Sequence, residues 1–254
     1  MAEGQKWQKR QIQTNQCPLK TGFYSVFFAI ISNGAILVCF IPFLLLGWKN
    51  IRKVHTWWVL GIYWLLNGLD NLLEIWFAQG QDLRHTVIRQ ISFYYSLADA
   101  PLVLLAFALA RQGKSRKALL LVLLLFLTGE MILARIRGNG SLGLILASGV
   151  AVIIVFSLTG LWEYLKKMEH TRFENSMVFI YASLLFSYGS MLIIYIFAHF
   201  HHSSGTSDAD SFLLYYISLL LSAAITCAGL WNYGIRRPHK HSWSAPAGYS
   251  SSSS

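Results

Sequence analysis

The chain has 254 residues, of which 55% are hydrophobic, 15% aromatic and only 13% charged, a balance too apolar for an ordinary soluble domain and expected of one polytopic membrane domain. Its net charge of +10 does not point to nucleic acid, because the basic residues fall in short segments between apolar stretches, where membrane topology accounts for them. Three cysteines, Cys17, Cys39 and Cys227, are an odd number without a C-x-x-C pattern and indicate neither a disulfide framework nor a thiolate metal site.

A polar N-terminal tail over 1–22 comes first. Seven apolar stretches follow, near 23–46, 57–78, 91–110, 118–134, 142–164, 176–199 and 211–233, each close to the roughly 20 residues that a hydrocarbon core demands. The fourth is the shortest. The first shows no small-residue cleavage pattern, so it is expected to be a retained helix, with the mature chain starting near Met1. The predicted fold is an all-α bundle of seven transmembrane helices over 23–236. The segment after Pro238, rich in His, Ser, Gly and Ala, predicts a disordered cytoplasmic tail over 237–254.

Thirteen of the 21 Lys and Arg residues follow spans one, three, five and seven; the other eight lie in the N-terminal tail and after spans two and four. By the positive-inside rule the N-terminus faces out and the C-terminus faces the cytoplasm of a cell membrane.

Span two carries the most informative pattern. Asn67, Asp70, Asn71 and Glu74 sit at i, i+3, i+4 and i+7, so one face of an otherwise apolar helix is wet. A carboxylate near the bilayer centre costs about 2.5 to 3.5 kcal/mol even on the lenient insertion scale, so the stripe needs partners, water or a ligand. Trp57, Trp58 and Trp76 suit an interfacial belt, whereas Trp64, one turn before Asn67, is a candidate pocket wall that could stack on an organic cation or a sugar face.

Span three adds Tyr94, Tyr95 and Asp99, the last followed by Pro101, whose ring bends the helix beside the acid. At about 1.5 Å per residue, Asp70 and Asp99 each lie about 12 Å below the outer ends of their spans. Glu74 and Glu130 of span four lie about 6 Å from theirs, in one layer with Tyr195, His199, Tyr215 and Tyr216. The ionisable groups therefore predict a pocket in the outer half, opening away from the cytoplasm. Three explanations compete for the acids: binding of a cation, a proton or an amine-bearing solute; a structural network in which Arg135 or Arg89 pairs with Glu130 or Glu74; and catalysis by one acid as general base with a tyrosine as electrophilic donor.

His199, His201 and His202 precede Asp208 and Asp210, a set that could hold zinc, but a Ser/Gly-rich outer loop favours a solvated surface tract. His55 and His170 are expected at the interface. Ser92, Ser96, Ser187 and Ser190 read as small polar residues that pack helices, and no G-x-S-x-G, P-loop or dinucleotide fingerprint occurs. No catalytic or metal-ligating residue is therefore nominated.

An internal repeat emerges when the first three spans are laid over the last three. Gly34, Trp48 and His55-Thr56 align with Gly149, Trp162 and His170-Thr171; Ile62-Tyr63, Phe77-Ala78 and Tyr94-Tyr95 align with Ile180-Tyr181, Phe197-Ala198 and Tyr215-Tyr216. The resulting three-plus-one-plus-three layout resembles that of the SWEET sugar transporters, and the same layout is proposed for opsins. The resemblance is architectural: Pro42 has no counterpart in span five, and span seven lacks the lysine that opsins use for retinal. Seven-helix membrane hydrolases of the ceramidase and adiponectin-receptor type use intramembrane histidines for zinc, and span seven has none.

The sequence thus predicts a bundle, surrounded by membrane lipids, that binds a small polar or cationic solute through Asn67, Asp70, Asn71, Glu74, Asp99, Glu130, Tyr94, Tyr95, Tyr215 and Trp64. Transport, with proton coupling as one form, is the first functional reading. A ligand or proton receptor is the second, and an intramembrane enzyme acting on lipid the third.

Overall fold

The computed structural model describes residues 21–49, 54–77, 82–137, 142–200 and 208–234. Among them run seven helices: α1 (Thr21–Trp48), α2 (His55–Phe77), α3 (Asp82–Ala110), α4 (Gly113–Arg137), α5 (Leu142–Leu165), α6 (Arg172–Phe200) and α7 (Asp208–Gly234). At 23 to 29 residues each is about 35 to 44 Å long, more than a hydrocarbon core of about 30 Å. The tails, the loops between these segments and the histidines at 201 and 202 lie outside the described residues, as do the side chains of Trp76, Arg89, Tyr195, His199, Asp208 and Asp210.

Among the described residues, five helices are both long and apolar enough to cross a membrane: α1, α3, α5, α6 and α7. The chain is therefore a helical, membrane-embedded protein. The other two fall short for visible reasons. α2 carries the Asn67, Asp70, Asn71, Glu74 stripe, and α4 opens on Lys114, Arg116 and Lys117 and holds Glu130 and Arg135. Their outward faces are nonetheless greasy where described: Ile62 and Leu69 of α2 and Leu121, Leu124, Leu125, Met131 and Ile132 of α4 are all exposed. Apolar surface on this scale suits lipid rather than water.

Six helices close a ring in the order α1, α2, α3, α5, α6, α7 and back to α1. α4 stays outside it, packed on α3 and barely touching α5. Burial in the ring centres on Tyr63, Trp64, Phe107, Leu184, Tyr188 and Leu219. With no hydrophobic drive between helices in lipid, close packing of small residues has to hold them. At the α6/α7 seam the Ser183 hydroxyl donates to the Ser222 carbonyl at 2.7 Å and pairs with the Thr226 hydroxyl at 2.8 Å. One turn on, a Cβ added at Gly229 would stand 2.9 Å from Phe179 Cβ and 3.0 Å from the Ser176 carbonyl, so only glycine permits that approach.

Both ends of the ring are chemically distinct. The basic end is where α1, α3, α5 and α7 finish and α2, α4 and α6 begin. Here Arg111 pairs with Glu163 at 2.8 Å and Lys167 pairs with Glu174. Glu174 also closes a capping box at the start of α6: the Thr171 hydroxyl accepts the Glu174 N–H, and the Glu174 carboxylate accepts the Thr171 N–H at 2.9 Å. Lys49 donates to the Trp231 carbonyl in the last turn of α7 and lies 3.6 Å over its ring. The turn from α3 into α4 passes through Gly113 at φ +64°, which a side chain would resist. Trp57, Phe173 and Tyr233 pack ring against ring at this end, joining α2, α6 and α7.

Candidate functional site

Toward the opposite end, polar side chains of α2, α3, α6 and α7 meet across the ring. Asp99 lies at its centre, half-buried on α3. The Tyr95 hydroxyl, one turn earlier on the same helix, donates to its Oδ1 at 3.1 Å, and the Tyr188 hydroxyl reaches across from α6 to its Oδ2 at 2.8 Å. Tyr188 in turn accepts the Tyr63 hydroxyl of α2 at 3.2 Å. One hydroxyl thus accepts a hydrogen bond from α2 and donates one to a carboxylate on α3, and three helices are tied through it.

Beside this chain, the i, i+4 spacing of α2 brings Asn71 Nδ2 to the Asn67 side-chain oxygen at 2.8 Å and the Asn67 carbonyl at 2.9 Å. The same amide reaches the Tyr215 hydroxyl of α7 at 3.2 Å. Both asparagines are buried, so these bonds satisfy groups that would otherwise be costly. Asp70, half-buried, accepts the Ser92 hydroxyl of α3 at 2.8 Å, and its charge acts on Asp99. The two aspartates stand on α2 and α3, which pack against each other.

The remaining expected residues divide. Glu74 is exposed, yet the charge of Asp70 acts on it and its own acts on Tyr215 and Tyr216, which places it at the rim of the cluster. Trp64 is fully buried, edge-on to Tyr63 at 5.3 Å, with its indole N–H unpartnered. Tyr94 is 68% exposed and stays outside the cluster, since the residue next to it, Tyr95, takes the inward direction. Glu130 of α4 is 3% exposed and neither carboxyl oxygen has a hydrogen-bond partner. Arg135, expected as its counter-ion, is exposed and makes no ion pair with it.

Two partners of the aspartates are not among the binding residues that the sequence predicts. Tyr188 sits in an apolar run that gives no directional signal; the one hint is that a buried tyrosine hydroxyl needs a partner. Ser92, expected only to pack, is the donor to Asp70.

Chemically the arrangement is rich in acceptors and poor in positive charge. Among the described residues, the ion pairs are Arg111 with Glu163 and Lys167 with Glu174, both at the basic end; none reaches Asp70, Glu74, Asp99 or Glu130. Two tyrosine donors, at about 1.5 to 3 kcal/mol each for bonds to a charged group, can offset the burial of Asp99, whereas Glu130 has no such compensation. A carboxylate offers about four acceptor positions, so Asp99 keeps capacity for a further donor. Among the described residues no group of three His, Cys, Asp or Glu side chains is placed to hold a metal ion. No protein family, curated protein or solved structure matches the chain.

Proposed function

We propose that this chain is a seven-span protein of the cell membrane, N-terminus out and C-terminus in, that binds a small polar or cationic solute at Asp70 and Asp99 and transports it. The observation that carries the reading is the absence, among the described residues, of any basic partner for these acids inside a helical ring. An ammonium group about 4 Å from one carboxylate would gain roughly 4 kcal/mol at an effective dielectric of 20, which is ample for recognition. Asn67, Asn71 and Tyr215 supply neutral bonding capacity beside it, and Trp64 an aromatic wall.

Two further observations support the transport form. Exchanging α1–α3 for α5–α7 leaves the ring order unchanged, as two related three-helix units would require. The charge asymmetry supports the orientation, with the basic end cytoplasmic. The receptor form draws on the aromatic closure by Trp57, Phe173 and Tyr233, which suits a blind pocket.

The test is equilibrium binding and vesicle uptake of a panel of primary and quaternary amines by reconstituted protein. Asp70→Asn and Asp99→Asn are each expected to weaken binding at least about tenfold, equivalent to 1.4 kcal/mol, while leaving the protein inserted. Normal binding by both variants would make the cluster structural; binding without uptake would favour the receptor.

A further inference from the structure

α4 is an unusual helix. It stands outside the ring, and among its described residues only Leu119 and Glu130 are buried. Its other faces are dominated by exposed leucines, so a residue turned inward at 130 would ordinarily be apolar too. Instead it is an acid with both oxygens sealed from solvent and unpartnered.

Its surroundings are set by a three-helix junction. Ala100 of α3 and Phe126 of α4 both approach Gly149 of α5, where an added Cβ would lie 2.9 Å from Ala100 and 3.7 Å from Phe126. Glu130 is one turn beyond Phe126, and Ala100 is the neighbour of Asp99. Asp99 is also the charge whose field reaches Glu130. α5 adds no titratable side chain at this level, its Glu163 and Tyr164 lying at the basic end; Arg135 of α4 is exposed. Among the described residues, Asp99 is the ionisable group whose charge acts on Glu130.

A sealed carboxylate without a hydrogen-bond partner, acted on by the charge of a second acid, is costly to keep ionised, and a bound proton removes the cost. We propose that Glu130 is a proton-binding site linked to Asp99: it holds a proton while Asp99 is negatively charged and bare, and gives it up when a cation neutralises Asp99. Linkage is reciprocal, so solute binding at Asp99 and proton binding at Glu130 oppose each other, the relation needed for cation-for-proton exchange. The exchange rests on the solute-binding reading above; the proton site and its link to Asp99 do not.

Dicyclohexylcarbodiimide, an apolar reagent that adds to protonated carboxyl groups, is the probe for purified full-length protein in lipid nanodiscs. Mass spectrometry is expected to find Glu130 modified, with labelling falling about tenfold per pH unit above its midpoint. In Asp99→Asn that midpoint moves by about one pH unit toward acid, because a neighbouring negative charge is gone; in Asp99→Glu it stays. Infrared spectroscopy reads the same proton without a reagent: the protonated-carboxyl band present in the parent is lost in Glu130→Gln, a variant that keeps shape and neutrality. Absence of that band difference, or a Glu130 midpoint indifferent to Asp99→Asn, overturns the proposal. Failure of the amines to bind, with the labelling pattern intact, overturns the solute reading and leaves the proton site standing.

Discussion

Tyr188 does with one hydroxyl what a salt bridge does in other bundles. It donates to Asp99 and accepts from Tyr63, so replacing it by phenylalanine strands a buried hydroxyl and strips the carboxylate of its shorter bond. Tyr188→Phe is expected to cost about 1 to 3 kcal/mol of stability, read as lowered thermal unfolding in detergent, and to weaken amine binding alongside. Tyr95→Phe removes only the longer bond and should cost less. The comparison also marks how far residues were legible in the chain. Spacing alone put Asn67, Asp70 and Asn71 on one face, because a 3.6-residue period is unambiguous when polar groups are rare. Aromatic residues carry no such signal: Tyr94 and Tyr95 are neighbours in sequence, and one faces outward while the other bonds Asp99. Tyr63 and Tyr188 were hidden for the same reason, since a phenol in an apolar run suits lipid and interior alike.

Helices were easier to read than side chains. The seven apolar stretches coincide with the seven described helices, because length and hydropathy are properties of a segment. Where the two differ, the physics is visible. α3 begins at Asp82, well before the apolar stretch near 91, since a helix continues wherever its backbone bonds close, whatever the side chains meet. Among the described residues, five helices are long and apolar enough to cross a membrane, while α2 and α4 interrupt their apolar runs with Asn67, Asp70, Asn71 and Glu74 and with Lys114, Arg116, Lys117 and Glu130. Helix ends lend themselves to direct tests. Thr171→Ala opens the capping box of α6 and should lower stability by about 1 kcal/mol in thermal melts. Gly229→Val forces a branched side chain into Phe179 and the Ser176 carbonyl, and a cost of about 1 to 3 kcal/mol, with loss of folded yield, is expected from overpacking.

For the molecule as a whole, charge is sorted by end, and that sorting predicts its sidedness. With the native cysteines replaced, a single cysteine at Lys114 or Lys167 should react with an impermeant maleimide only after the cytoplasmic face is exposed. Labelling of intact cells would invert the orientation. The proposed repeat, by contrast, rests on ordered matches of Trp, His-Thr and Tyr-Tyr pairs, and the ring order adds a geometric reason to test it.

On the seven-span reading, the position of α4 has a topological consequence. Three crossings reverse the direction of a chain, so two triplets joined head to tail would lie upside down relative to each other. One extra crossing restores parity, and any greasy helix would serve as that spacer. The ring closes without α4, so neither parity nor closure asks anything of its side chains. On that reading Glu130 is required by neither, as the proposed proton site expects.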